Sequence, residues 1–279
     1  MRERRYTTGD GLSLYFRDWG EANGRTPLLC LPGLTRNSAD FSDLAARHAG
    51  RRRVICPDYR GRGRSDYDPD WRRYQPMTYL EDLRHLLAAE GIGRVAVVGT
   101  SMGGLLAMGL AAALPGMVAA VVLNDIGPDL AADGLARIIG YIGRDRPQKD
   151  WAGAVAELRA LLPSLSLRGE DKWLRFARAT YREGGDGLLH FDWDVNLARP
   201  LAAGGSDLPD LWALFRGLSM PALAVRGGLS DVLDATTFAR MGEELPHLLR
   251  VIVPGCGHCP ALDEPEVVDD LESFLDGVA

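Results

Sequence analysis

Arg94-Val-Ala-Val-Val-Gly-Thr-Ser-Met-Gly-Gly104 contains the turn on which the fold is decided. Val95 to Val98 reads as a buried strand, and Leu105 to Leu114 as a small-residue helix. Between them lies Gly99-Thr100-Ser101-Met102-Gly103, a G-x-S-x-G pattern. A strand that turns abruptly into a helix crowds the backbone at Ser101, and the flanking glycines remove Cβ atoms that would collide there. The hydroxyl then projects clear of the sheet. Beside it, a helix N-terminus offers unpaired N–H groups and a positive dipole end to a developing oxyanion. The Met102 N–H is the natural first donor. The bland alternative is a serine that only caps the helix; the strand before it and the helix after it favour a nucleophile.

Working outward, short apolar runs recur at Leu28 to Leu31, Arg53 to Cys56, Val118 to Leu123, Ala222 to Val225 and Leu249 to Val253. Most are apolar throughout, as strands buried on both faces should be. Leu12 to Trp19 alternates instead and suits an antiparallel edge. Helical patterns lie between the runs, at Thr78 to Glu90, Thr236 to Leu245 and Pro265 to Leu275. The fold class is therefore α/β, a mostly parallel, doubly wound sheet. One region breaks the alternation. From Pro128 to about Leu218 no convincing strand appears, and nine aromatic residues stand out: Tyr141, Trp151, Trp173, Phe176, Tyr181, Phe191, Trp193, Trp212 and Phe215. The expected division is a core of residues 1–127 and 219–279 with a mainly helical cap, 128–218, over the strands' C-terminal ends, where open α/β sheets bind ligands.

The chain has 279 residues, 46% hydrophobic and 25% charged, enough for one large core. A net charge of −6 gives no electrostatic reason to propose nucleic acid. The basic clusters Arg2 to Arg5 and Arg51 to Arg53 read as solvated surface. No run approaches the length of a membrane span, and the N-terminus lacks the apolar segment of a secretory signal. Cys30, Cys56, Cys256 and Cys259 are then expected to be reduced, and the protein cytoplasmic.

Two further stretches make the chain resemble the α/β-hydrolase superfamily, and within it the esterase, lactonase and carbon–carbon hydrolase branch. The G-x-S-x-G turn is joined by Leu29-Cys-Leu-Pro-Gly-Leu-Thr35, which looks like the loop carrying the second oxyanion donor. Many members have His-Gly there, where this chain has Pro32-Gly33. The resemblance makes the Leu34 backbone N–H that donor, alongside Met102. Asp58-Tyr-Arg-Gly-Arg-Gly-Arg-Ser65 matches the D-x-R-G-x-G-x-S turn, a structural signature.

A general base must share the nucleophile's edge of the sheet. Of five histidines, His258 follows a strand and a Pro-Gly turn, and it comes last in the order Ser, Asp, His associated with this fold. His48, His85 and His247 fall at the opposite edge, and His190 lies in the insertion. For the acid, Asp231 follows the strand Ala222 to Val225, where the family most often places it. Asp125, directly after the preceding strand, is the rival, and Asp234 a third candidate. The Cys256-Gly-His-Cys259 cluster has ligand chemistry but no second Cys/His pair nearby, so no metal is expected.

These readings converge on a serine hydrolase that cleaves a carboxylic ester or lactone through an acyl-enzyme, with Ser101, His258 and Asp231 in the leading roles and no cofactor. The aromatic insertion suggests a small to medium, mainly apolar small-molecule substrate, with Arg36 and Trp193 as candidate contacts. A second enzymatic reading is a carbon–carbon bond hydrolase of dienoic ring-fission products. The alternative from another class is a non-catalytic hydrolase-fold ligand receptor. Membrane or nucleic-acid partners are not expected, and spacing does not reach oligomeric state.

Overall fold

The computed structural model describes residues 1–203 and 209–278; residues 204–208, inside the expected insertion, lie outside the described set. Eight strands form one sheet: β1 (Arg2–Thr7), β2 (Ser13–Trp19), β3 (Leu28–Leu31), β4 (Val54–Pro57), β5 (Val95–Thr100), β6 (Val118–Asn124) and then, numbered after a later hairpin, β9 (Ala222–Gly227) and β10 (Leu248–Val253). Their spatial order is β1-β2-β4-β3-β5-β6-β9-β10. The β1–β2 and β2–β4 pairs are antiparallel and the rest parallel.

The pleat sends alternate residues of each central strand to opposite faces. Leu29 and Leu31 join a core with Leu83 and Leu86 of α2 (Pro76–Ala89) and Leu106 and Leu110 of α3 (Met102–Ala113). Leu28 and Cys30 join a second core with Leu44 of α1 (Ser42–His48) and Leu271 of α10 (Pro265–Asp276). Both faces are thus covered, which explains the unbroken apolar runs. The last strand departs from that pattern: β10 is an edge, and its Leu249 and Ile252 are exposed.

The sequence β6 to β9 is interrupted although the two strands are neighbours. Between them come α4 (Ala132–Ile142), α5 (Trp151–Leu161), α6 (Glu170–Arg178), α7 (Ala198–Ala202) and α8 (Leu211–Arg216). An antiparallel hairpin, β7 (Tyr181–Glu183) with β8 (Leu189–Phe191), adds two strands that the aromatic composition did not reveal. The helix α9 (Ala235–Glu244) then connects β9 to β10.

The arginine-rich N-terminus, read as solvated surface, is also a strand. Its cations are committed to acidic partners: Arg2 lies 3.1 Å and Arg4 3.4 Å from Asp18, whose side chain is fully buried. Arg53 closes the same carboxylate from the other side at 2.9 Å.

The 58–65 turn holds the loops together from within. Asp58 accepts the Ser38 and Arg64 N–H groups, and the Ser65 hydroxyl donates back to the Asp58 carbonyl. Arg60 is buried against Asp82 at 2.7 Å, Asp68 at 2.6 Å and Asp10 at 2.8 Å. Removing one partner from a buried ion cluster leaves charge uncompensated, at a cost of roughly 3–5 kcal/mol. Arg60→Met should lower unfolding stability by about that amount in a urea titration. A loss below about 1 kcal/mol would contradict this role.

Candidate active site

Ser101 sits between β5 and α3 at φ 53° and ψ −120°, a backbone conformation that strains an L-residue by roughly 1–3 kcal/mol. Three glycines make the turn sterically possible. A Cβ at Gly99 would strike the Gly103 carbonyl, one at Gly103 the Leu31 carbonyl, and one at Gly104 the Ile126 side chain. Ser101 N–H donates to Asn124 O at 2.9 Å, tying the turn to the end of β6.

His258 Nε2 lies 2.9 Å from Ser101 Oγ, and His258 Nδ1 lies 2.7 Å from Asp125 Oδ2. The side chain of Asp125 is fully buried. It also accepts the Gly227 N–H at 2.8 Å and the Ser230 hydroxyl at 2.7 Å. With Nδ1–H donated to Asp125, the tautomer leaves Nε2 free to accept the Ser101 proton. The histidine loop is stitched down on both sides: Gly257 N–H reaches Ser164 O, and Asn124 Nδ2 donates to Pro260 O at 2.9 Å.

Asp231, the expected acid, is not at the imidazole. It is bound by Arg137 of α4, with Nε at 2.5 Å and Nη2 at 2.9 Å, and its side chain is 39% exposed. The Arg137 guanidinium holds its carboxyl below the usual range. The imidazole instead meets the rival candidate, because Asp125 leaves β6 at φ 56° and turns its carboxylate inward beneath the histidine. Asp234, the third candidate, caps α9 by accepting the Thr237 N–H.

Gly33, Leu34, Ser101 and His258 open onto a cavity of about 420 Å³. Met102 opens α3, where the first N–H groups have no partner within the helix. The Leu34 loop is fixed twice. Gly33 O accepts the Arg36 N–H at 3.1 Å, and Leu34 O accepts from Arg62 Nε. Arg62 is fully buried, and its charge is met by Arg60 O, the Tyr79 hydroxyl and the faces of Tyr59 and Tyr79. Sequence reading gave this residue no part in the site, since the spacing signal attached to the turn and not to its variable position.

Of the expected substrate contacts, Arg36 does line the cavity. Its guanidinium binds Asp40 and Thr180 and stacks 3.9 Å from the Phe176 ring centroid. Trp193 does not. It is buried, donates Nε1–H to Ile142 O at 3.0 Å and stacks on Phe191 at 4.0 Å. Of the nine aromatics in the insertion, Tyr141 and Phe176 line the cavity and the other seven do not; Trp173, Tyr181, Phe191, Trp193 and Phe215 are buried in the core cluster shared with the sheet. His190 is held between Asp145 and Asp186.

Among the described residues no group of three His, Cys, Asp or Glu side chains is arranged for a metal ion. No helix among them is long and apolar enough to cross a membrane. Burial pushes the Cys256 thiol up to about 11, and the Cys259 thiol well above its ordinary value. Thiols are poor nucleophiles when protonated. Iodoacetamide at pH 7 should therefore modify both far more slowly in the native protein than in urea. Equal rates, read by mass spectrometry, would contradict that assignment.

A family model described as "Alpha/beta hydrolase family" matches residues 28–271. The chain is 34% identical to the 3-hydroxybutyrate-oligomer hydrolase of Cupriavidus necator, over 94% of this chain and 92% of that one. It is 28% identical to the 2-(acetamidomethylene)succinate hydrolase of Mesorhizobium japonicum, covering 91% and 89% respectively. The crystal structure of an α/β hydrolase from Novosphingobium aromaticivorans superposes with a TM-score of 0.93 at 45% identity, covering 99% and 98%.

Proposed function

The chain belongs to the α/β-hydrolase family, and on that footing we propose that it is a serine hydrolase cleaving carboxylic esters or lactones through an acyl-enzyme. The observation that carries this reading is the unbroken hydrogen-bond chain from Ser101 Oγ through His258 to buried Asp125. Asp125 takes the role that sequence position favoured for Asp231. An acid that orients the base and stabilises imidazolium works best as a desolvated charge. Asp125 is fully buried, whereas Asp231 is half-solvated and already neutralised by a guanidinium.

In the proposed reaction Ser101 Oγ attacks the ester carbonyl as its proton passes to His258 Nε2. The carbonyl oxygen, now an oxyanion, takes hydrogen bonds from the Leu34 and Met102 N–H groups. His258 returns the proton to the departing alcohol; it then takes a proton from a water that adds to the acyl carbon, and gives that proton to Ser101 Oγ as the C–Oγ bond breaks and the acid leaves. Arg62 acts behind this site by holding the Leu34 carbonyl, which fixes the loop that offers the second donor. A carboxylate nucleophile, needed for epoxide or haloalkane chemistry, is not at position 101.

We infer a substrate of short hydroxyalkanoate-ester type. The relative named for 3-hydroxybutyrate oligomers supports this, as does a cavity whose walls include Leu34, Ile138, Leu165 and Leu167. Its volume of about 420 Å³ suits a few such units.

A fluorophosphonate probe should label the wild-type protein and not Ser101→Ala. On p-nitrophenyl acetate, Asp125→Asn should lose about 10⁴ in kcat and Asp231→Asn less than about tenfold. The reverse ranking would return the acid role to Asp231. Labelling of Ser101→Ala would sink the nucleophile, and no turnover across acyl esters, lactones and hydroxybutyrate dimers would favour a ligand receptor.

A further inference from the structure

We propose that Arg137, held by Asp231 and flanked by Tyr141, is a substrate-carboxylate site beside Ser101 and His258, so that the enzyme selects esters bearing a free carboxylate. This rests on the ester-hydrolase reading and names the substrate feature that reading leaves open.

The first observation is how the pair is laid out. Asp231 occupies the Nε–Nη2 edge of the Arg137 guanidinium with two hydrogen bonds. Arg137 is a wall of the cavity and Asp231 is not. Guanidinium has five N–H donors in a fixed fork. Among the described residues Nη1 has no hydrogen-bond partner, so its two donors remain for a ligand. The aspartate thus grips the arginine from behind and fixes its plane.

The second is what stands around it. Tyr141, one turn further along α4, lines the same cavity. Burial pushes its phenol up, and Thr35, Arg137 and Arg36 act in the opposite sense, so its hydroxyl stays protonated as a donor at neutral pH. Arg36 also lines the cavity, but Asp40 and Thr180 take up its Nε, Nη2 and Nη1 atoms, which leaves Arg137 the guanidinium with free donors beside Tyr141.

The third is charge balance over the whole cavity. Of its cationic walls, Arg36, Lys172 and Arg175 face Asp40, Asp263 and Asp43, and Arg137 is held by Asp231, which leaves Arg17 and Arg178 without an ion pair among the described residues. Arg178 lies over the Trp151 ring. An apolar pocket with this excess disfavours a neutral ester relative to one carrying a carboxylate, because a guanidinium fork matches a carboxylate and is satisfied by it. The names of both curated relatives denote molecules with carboxylate chemistry, oligomers of a hydroxy acid and a substituted succinate.

Two substrates with the same scissile ester isolate the effect: 3-acetoxybutyrate and its uncharged analogue 3-acetoxybutyramide. Wild-type enzyme should prefer the acid in kcat/KM, mainly through KM. A charged hydrogen-bonded pair predicts that Arg137→Gln reduces the acid-over-amide ratio by roughly 10- to 100-fold, with partial recovery in Arg137→Lys. An unchanged ratio in Arg137→Gln, or no preference in wild type, would overturn the proposal. Calorimetry with Ser101→Ala gives a readout free of turnover: 3-acetoxybutyrate should bind more tightly than the amide, and adding Arg137→Gln should erase that difference. Equal binding of the two ligands by Ser101→Ala overturns the carboxylate site even if the esterase assay succeeds. Fluorophosphonate labelling reports separately on the hydrolase reading.

Discussion

At Gly103 the first turn of α3 presses against the Leu31 carbonyl so closely that no side chain fits between them. That contact forces the end of β5 to turn within two residues, and the turn places Ser101 in its strained conformation above the strand ends. Everything at the site is then within one loop of it. The loop carrying Leu34 leaves β3 directly after Leu31, and Asn124 at the end of β6 accepts the Ser101 N–H while its side chain fixes the histidine loop. The strain of roughly 1–3 kcal/mol is small beside the apolar burial of α3, at about 1.5–3 kcal/mol per large side chain. Met108, Leu106 and Leu110 are almost wholly removed from water. A tightly packed helix therefore holds a conformation that its serine alone would not adopt.

The two arginines of the 58–65 turn illustrate different uses of buried charge. Arg60 is surrounded by carboxylates and acts as a rivet between the turn, the β1–β2 loop and α2. Arg62, two residues on, has peptide carbonyls, a phenol and two ring faces as its surroundings. Such partners satisfy its donors without cancelling its charge, so its geometry matters more than any ion pair. The loop it holds is the one that meets the oxyanion in the proposed reaction.

The central strands and their helices were legible in the sequence because doubly buried strands and amphipathic helices leave periodic apolar patterns. The edge strand β1 was not. Its Arg-Glu-Arg-Arg repeat hides a strand whose order comes from pairing with β2 and from carboxylates such as Asp18, neither visible in a local window. The aromatic insertion misled in a different way. Composition said that Trp193 and its neighbours were available to a ligand, while packing buries most of them in the core shared with the sheet, Trp193 stacked on Phe191 and bridged to Arg62. Large aromatic area stabilises whatever it faces, and sequence does not say which face that is.

The choice between Asp125 and Asp231 shows the same limit most clearly. Asp125 and Asp231 both follow strands that end at the same edge of the sheet, and sequence separation favours neither on physical grounds. Burial and partners divide them: one carboxylate is enclosed with three donors, the other is met by Arg137. The division is electrostatically coherent. Asp231 still interacts with His258 across the site. A lone guanidinium at that range would oppose the imidazolium of the proposed reaction, whereas one paired with Asp231 is nearly neutral at a distance and a strong donor at contact. If Arg137 is the proposed recognition group, its pairing with Asp231 lets it stand close to His258 without acting against the imidazolium, which is a use for an aspartate at this strand end other than orienting the histidine.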